Sequence, residues 1–348
     1  MAGITAKEIA EMIGISPASV SMALNGKPGV SENTRTEVLR VAAKYGYTLP
    51  STTNAANRGG QKLICFLIYI DALNSIAENA TFSAFVLKGI ETRATQLGYT
   101  TIIRQYYAGT SISAFQMGVF RDIDGLIVLG TDFTERRLPD IEYILTLAKD
   151  IPVVLVDSKL LQGRVDCIGN ANFHGAHKAV TTLIERGCKS VGHVCAKQRI
   201  SVFDDRRRGV NAALKENGMT LLTSVDASVT SDGAYRDICQ WLDQKPELPE
   251  GFFADNDVLA VALMRALNRF GISVPKQVSV IGFDDAPICD SSDPPLTTMH
   301  CYTEQLGSVA VELIHIRLNG NPSMRGSEGN GKLCVELSVE LHERRSVR

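Results

Sequence analysis

The stretch Ile4-Thr5-Ala6-Lys7-Glu8-Ile9, continued by Gly14-Ile15-Ser16-Pro17-Ala18-Ser19-Val20, decides how this chain begins. Thr5 stands where a helix N-cap belongs, Glu8 follows three positions later to reach back to it, and Ile4 is placed to staple against Ile9. Gly14 predicts the stop of that helix. Ser16 then caps a second helix whose first position, Pro17, misses no backbone donor, and Asn25-Gly26 closes it. A third helix runs from the Ser31 cap with Val38, Val41, Ala42 and Tyr45 on one face, as far as Gly46. Three short helices with a tight turn between the first two predict a module that enters the major groove of DNA.

The second helix keeps Val20, Ala23 and Leu24 for an interior. Its other side, made of Ser16, Pro17, Ala18, Ser19, Ser21, Met22 and Asn25, is small or polar and can approach a groove without steric penalty. Pro17, Ala18 and Met22 offer apolar contacts, for instance to thymine methyl groups, but no bidentate hydrogen bonds. Thr5, Ser16, Ser19, Asn25 and Asn33 suit phosphate contacts, and Thr5 and Ser16 serve equally well as plain helix caps.

These residues, with Val30-Ser31, Thr34-Arg35 and Tyr45-Gly46-Tyr47, resemble the headpiece of the lac repressor/galactose repressor family of bacterial regulators. In that family the segment after the head holds a hinge helix that presents an apolar wedge, usually Leu, to the minor groove. Ungapped counting places Ala56 at that position. Thr52-Thr53-Asn54-Ala55-Ala56-Asn57-Arg58-Gly59-Gly60 is poor in helix formers and its wedge is small.

Length and charge set the outer bounds. The 348 residues are 45% hydrophobic and 21% charged, with a net charge of −2, an ordinary balance for a multidomain globular protein. Residues 1–62 hold seven bases against four acids, a net +3 that leaves −5 for the rest. A small positive head on an acidic body suits a phosphate-contacting module whose body stays off the duplex. No apolar run reaches membrane-spanning length and the N-terminus opens on a polar helix, which predicts a cytoplasmic protein without a membrane partner. The eight cysteines are scattered without a Cys-x-x-Cys pair and read as small core residues, and no cofactor is called for. His174 and His177 lack a neighbouring carboxylate or thiol in sequence and are read as surface or capping residues.

From Leu63 the pattern alternates short aliphatic runs with helical stretches: 63–70, 100–103, 125–129, 152–156, 191–194 and 278–282. This predicts an α/β body of two doubly wound parallel-sheet lobes, the first about 63–158 and 290–321, the second about 159–289 and 322–345, behind a head at 1–47 and a linker at 48–62. Ligands in such sheets bind beyond the carboxyl ends of the strands. The candidates there are Tyr69, Asp71, Thr131, Asp132, Asp157, Asp204, Asp205, Arg206, Asn256, Asp257, Asp284 and Asp285, each of which taken alone could be a turn former or cap.

The motifs Asp124-Gly125-Leu126-Ile127, Pro152-Val153-Val154, Arg206 with Gly209, Asn256-Asp257, Gly282-Phe283-Asp284-Asp285 and Pro294-Pro295-Leu296-Thr297-Thr298 resemble the effector core of the same family, which is similar to periplasmic sugar-binding proteins. The resemblance implies that Arg206 contacts effector, that Asn256 or Asp257 adds a polar contact, and that Asp284 or Asp285 closes the set. Ala171-Asn172 departs from the usual Asp-Asn and removes a charge there.

Together these readings describe a ligand-responsive repressor of carbohydrate-utilisation genes, a homodimer on a near-palindromic operator. The rival is a small-molecule-binding or hydrolytic α/β protein whose first helices only dock it; the sequence has no Gly-x-Ser-x-Gly and no phosphate loop. The small wedge at Ala56 predicts a shallow operator bend. A DNA-bending assay tests this, and a sharp central kink refutes it.

Overall fold

The computed structural model describes residues 5–24, 29–44, 62–71, 80–109, 123–320 and 331–348. The head is α1 (Ala6–Ile13), α2 (Pro17–Leu24) and α3 (Glu32–Lys44). Thr5 and Glu8 form the reciprocal capping box, and Gly14 takes the left-handed conformation (φ 74°) that ends α1 and that a side chain would strain. Ser16 and Ser31 accept the backbone N–H of Ser19 and Thr34 at 3.0 and 3.2 Å. Ile9, Ala10, Val20, Ala23, Leu24, Val38, Val41 and Ala42 pack as a small closed core. Ile4, Asn25, Tyr45 and the linker around Ala56 lie outside the described residues.

The body holds two six-stranded sheets of matching strand order. The first contains β1 (Lys62–Ile70), β2 (Tyr99–Tyr107), β3 (Gly125–Leu129), β4 (Val153–Val156) and β5 (Asp166–Asn170), with α4 (Ala80–Gln96), α5 (Leu138–Leu147) and a late strand. The second is built from α6 (Asn172–Glu185), β6 (Val191–Ala196), α7 (Ser201–Glu216), β7 (Thr223–Ala227), α8 (Ser231–Leu242), β8 (Gly251–Ala254), α9 (Asp257–Arg269), β9 (Ser279–Asp284), the short α10 (Ile288–Ser291) and β10 (Thr297–His300). The chain then returns through α11 (Thr303–Asn319) and ends with β11 (Cys334–Leu337) and β12 (Glu340–His342). The orders are β2-β1-β3-β4-β5-β11 and β7-β6-β8-β9-β10-β12; all neighbours are parallel except β10 and β12. Helices cover both faces of each sheet: Ile64 and Phe66 of β1 pack toward α4 and α11, Cys65 and Leu67 toward α5. Burial on both faces explains why β1 reads as one unbroken apolar run.

The lobe crossings differ from the expected ones. β5 pairs with β4, so the first lobe extends past residue 158 to Asn170; β10 belongs to the second sheet, beyond residue 290; and β11 returns to the first sheet after residue 322. β5 and β10 escape a hydropathy reading because polar residues end them and are satisfied by specific partners. Asp166 is the clearest case: it takes a two-pronged ion pair from Arg317 of α11, at 2.6 Å to each oxygen, and accepts the Leu333 N–H at 2.9 Å. Both side chains are buried. Removing one partner strands a buried charge, so Arg317→Met is expected to cost about 3–5 kcal/mol in urea unfolding; a loss below about 1 kcal/mol would show that this clamp does not hold the lobe together.

Candidate functional site

Residues from both lobes line one small cavity. Thr131 follows β3, Asp157 follows β4, Asn256 follows β8 and Asp284 ends β9; Phe82 comes from α4, and Val202, Phe203 and Arg206 from the first turns of α7. Three of the residues at these strand ends share a backbone signature. Among the described residues, four non-glycine residues have positive φ, and three of them are Asp157 (61°), Asp284 (109°) and Asp285 (59°). Aspartate tolerates that region better than most side chains, and a sharp turn at the end of a strand is where the chain requires it.

Arg206 is the centre of the arrangement. It is buried, its Nε donates to Asn172 Oδ1 at 2.8 Å, one terminal nitrogen donates to the carbonyl of Asp255, and the other to Asp284 Oδ1 at 3.1 Å. Its guanidinium carbon lies 3.7 Å from the centre of the Phe283 ring and 5.6 Å from that of Phe203. Asn172 supplies a neutral acceptor beside the position where the sequence loses a charge, and its own Nδ2 donates to Asn170 O at 3.1 Å. The helix N-cap is Ala171, which makes no side-chain cap bond. Gly209, one turn beyond Arg206, lets α7 press on α6: a Cβ there would lie 2.2 Å from the carbonyl oxygen of Phe173.

The electrostatics follow from burial. Desolvation pushes the Asp157 carboxyl up to about 7, against the pull of the Thr131 hydroxyl, which donates to it at 2.8 Å, and of the Arg206 charge. Burial also raises Asp284 above its ordinary value despite its contact with Arg206. Behind the guanidinium, His193 Nε2 lies 2.7 Å from Asp255 Oδ1, and both are buried. Burial opposes the charged imidazole, but the Asp255 carboxylate outweighs it and holds His193 at about 9.

The other strand-end candidates have different surroundings. Asp71 is clamped by Arg137 at 2.8 and 2.9 Å and donates its backbone N–H to Asp132 at 3.2 Å; Tyr69 packs edge-on against Phe133 and points its hydroxyl at Asp140, 3.4 Å away. These three brace the first lobe and do not line the cavity. Asp257 is turned into the second lobe, where it accepts from Thr298 Oγ1 at 2.5 Å and from the Ala286 N–H at 2.7 Å, and burial pushes it up to about 7. Asp204 and Asp205 sit on α7 among basic side chains, with Lys159 reaching Asp205 at 2.6 Å across the lobes. Asp285 belongs to an adjoining cavity of about 390 Å³ that shares Phe82 and Asp284 as walls and adds Phe85, His300 and Tyr302. His177 makes a surface pair with Glu216 at 2.8 Å.

Sequence reasoning missed Asp255, His193 and the aromatic walls Phe82, Phe203 and Phe283. The triplet Asp255-Asn256-Asp257 after the apolar Gly251–Ala254 was a usable signal, because three consecutive polar residues are more than one turn or cap requires. Nothing in the sequence marks the phenylalanines as anything but core.

In the head, Pro17, Ala18, Ser21 and Asn33 are exposed, and Ser19 and Met22 are half-buried. Thr5 and Ser16 are engaged as caps. Arg35 turns inward and donates to the carbonyl oxygens of Ala23 and Met22 at 3.1 and 3.4 Å, which caps the end of α2 with a charge of the favourable sign.

Residues 5–50 match the bacterial regulatory proteins of the lacI family, and residues 180–347 match the periplasmic binding protein-like domain. The chain joins a lacI-family head to a periplasmic binding protein-like core. The chain is 27% identical over 342 residues to the HTH-type transcriptional repressor PurR of Photobacterium profundum, covering 97% of this chain and 98% of that one. It is 26% identical over 349 residues to the repressor of the same name from Haemophilus influenzae, covering 99% and 98%. Two solved structures share its fold along 99% of both chains: the transcriptional regulator CelR–cellobiose complex (TM-score 0.69, 23% identity) and the lac repressor dimer bound to operator and the anti-inducer ONPF (0.68, 21%). The head is a DNA-binding domain and the core an effector domain, so the protein is a ligand-responsive transcriptional repressor.

The raised Asp157 carboxyl gives a signed prediction. A carboxyl that holds its proton in the native state but loses it near pH 4 when unfolded costs stability as pH rises from about 4 to about 7. Asp157→Asn suits the same backbone turn and removes this cost. Urea unfolding between pH 5 and pH 8 should therefore show the variant gaining on the wild-type protein as pH rises, whereas parallel curves would contradict the assignment.

Proposed function

We propose that this regulator acts as a cytoplasmic homodimer on a near-palindromic operator, and that a sugar or sugar derivative occupies the space between its lobes. The carrying observation is the cavity chemistry: a guanidinium fork, two carboxyls and an amide face an aromatic wall. A polyol offers adjacent hydroxyls to such donors and acceptors while an apolar ring face stacks on phenylalanine. Two relatives in solved structures carry sugars, CelR with cellobiose and an Enterococcus faecium lacI-family regulator with ribose. Asp157, Arg206, Asn256 and Asp284 are the contacts we assign to the effector. Tyr69, Asp71, Asp132 and Asp257 hold those contacts in place, and Asp285 borders the entrance.

The space around Arg206 is only about 20 Å³, room for roughly one water. The effector therefore enters from the 390 Å³ cavity and parts the lobes around Arg206, or exchanges its own groups for those Arg206 now holds. Either event biases the lobe arrangement and, through the first lobe, the spacing of the two heads. The required coupling is about 1–3 kcal/mol.

DNA contact falls to Thr5, Ser16, Pro17, Ala18, Ser19, Ser21, Met22, Asn25 and Asn33, with Ala56 in the linker. Among these the exposed Pro17, Ala18 and Ser21 are the base-facing group. No helix among the described residues is long and apolar enough to cross a membrane. The site is read as a binding site, not a catalytic one, since its carboxyls are tied to Thr131 and Arg206.

Gel-shift titration and a thermal-shift screen of the full chain against sugars, sugar phosphates and nucleobases test this. Arg206→Lys keeps the charge but loses the fork. It is expected to bind operator normally and to lose the effector-dependent change in affinity, about 5- to 150-fold in the wild-type protein. Stabilisation by nucleobases with none by sugars overturns the sugar assignment. Operator binding that survives removal of residues 1–61 overturns the mechanism.

A further inference from the structure

A second cluster, not required for the contacts assigned above, lies beside the entrance. Asp285 follows β9, His300 ends β10 and His342 ends β12. The antiparallel pairing sets Thr298 opposite His342 and His300 opposite Glu340, which makes the two histidines diagonal neighbours on the sheet. Their rings stack 4.4 Å apart at an interplanar angle of 11°. Both Nδ1 atoms converge on the same oxygen, lying 2.7 and 2.8 Å from Asp285 Oδ2, and the three donor atoms all lie within 4.8 Å of one another. The other carboxylate oxygen faces Arg344 at 2.8 Å. Arg344 is itself held by Asp290 at 2.7 Å and by the carbonyl of Leu296 at 3.1 Å, so the orientation of Asp285 is fixed from outside the cluster.

We propose that Asp285, His300 and His342 form a three-ligand site for a divalent transition metal ion of the zinc or nickel type. Two imidazole nitrogens and one carboxylate oxygen match the preference of these ions, whereas calcium and magnesium need an oxygen-rich shell. Metal–donor bonds of about 2.0–2.1 Å in a tetrahedral shell separate donors by about 3.3 Å. The Asp285–histidine contacts then open by roughly half an ångström, and the two rings, nearly parallel at 11°, tilt out of their stack so that both Nδ1 lone pairs meet at one ion; side-chain rotation supplies both movements. On binding, each imidazole presents its Nδ1 lone pair and carries its proton on Nε2. Arg344 serves as the outer partner that keeps Oδ2 aimed at the rings. The side chain of His342 is 43% exposed, so an ion reaches the site from solvent.

The other cluster of this kind among the described residues, His193, Cys195 and Asp255, is buried, and its carboxylate is already committed to His193 and to the Ala196 N–H at 2.8 Å. Of the two, only the outer cluster combines access with convergence. It also touches the function: Asp285 follows the Asp284 that holds Arg206, and His300 lines the 390 Å³ cavity. Metal occupancy and effector binding are therefore coupled, each changing the affinity of the other by the same factor. Only this coupling rests on the effector reading; metal binding does not.

The test uses full-length protein stripped with a chelator and titrated with Co²⁺, then Zn²⁺, in parallel with a thermal-shift series. One Co²⁺ per chain is expected, with a visible ligand-field spectrum, no thiolate charge-transfer band, and displacement by Zn²⁺. His300→Ala and His342→Ala should each weaken binding more than about tenfold, while His177→Ala leaves it unchanged. Absence of saturable binding overturns the proposal, as does unchanged affinity in His342→Ala. A thiolate band that disappears in Cys195→Ser also overturns it and moves the ion to the inner cluster. If the metal binds as described but effector affinity is the same with and without it, the coupling fails while the site stands.

Discussion

A guanidinium with almost no access to water must be satisfied where it lies, and the second lobe is arranged around that requirement at Arg206. Its donors are met by an amide, a carbonyl and a carboxylate drawn from three separate elements, and its flat faces by two phenylalanines. Its surroundings are in turn held by other groups. Asp255, which offers its carbonyl, is fixed by His193, and the approach of α7 to α6 depends on Gly209. A buried ion left without such partners would cost several kcal/mol. The arrangement therefore keeps the cation poised without letting it wander, which is what a site that must tell ligand-bound from ligand-free states needs.

The two halves of the regulator divide the physics between them. The head is a small apolar cluster closed by caps, and its inward-turned Arg35 is spent on joining α3 to α2. That leaves Pro17, Ala18 and Ser21 facing outward, side chains that fit a groove but hold it weakly. In the homodimer proposed above, affinity comes from two heads acting together and depends on their separation, a quantity the body would set.

Much of this was legible beforehand, for reasons that can be located. Thr5, Glu8, Gly14, Ser16 and Ser31 act through local hydrogen bonds and backbone conformation, so their roles depend on neighbours a few positions away. Strands buried on both faces, such as Leu63 to Ile70, announce themselves by composition. The shorter strands β5 and β10 did not, because Asp166 and Thr297 are made tolerable by partners far along the chain, Arg317 and Arg344. Among the site residues, Asp157, Arg206, Asn256 and Asp284 could be picked out as polar groups ending strands or starting helices. Whether such a group turns into the cavity or into its own lobe, as Asp257 does, depends on a hydroxyl 41 positions away, and no local pattern carries that information.

The edge strand β11 pairs with β5 across a large stretch of intervening chain, with Leu333 bonded to Asp166 over a separation of 167 positions. Most of what lies between them builds the second lobe. During synthesis the first lobe thus waits, its sheet open along β5, until the last few dozen residues emerge, while the second lobe assembles around most of its own strands in the meantime. An open parallel edge is a pairing hazard. Slow or interrupted translation should thus penalise the lobe made first, an order of vulnerability opposite to the order in which the chain is read.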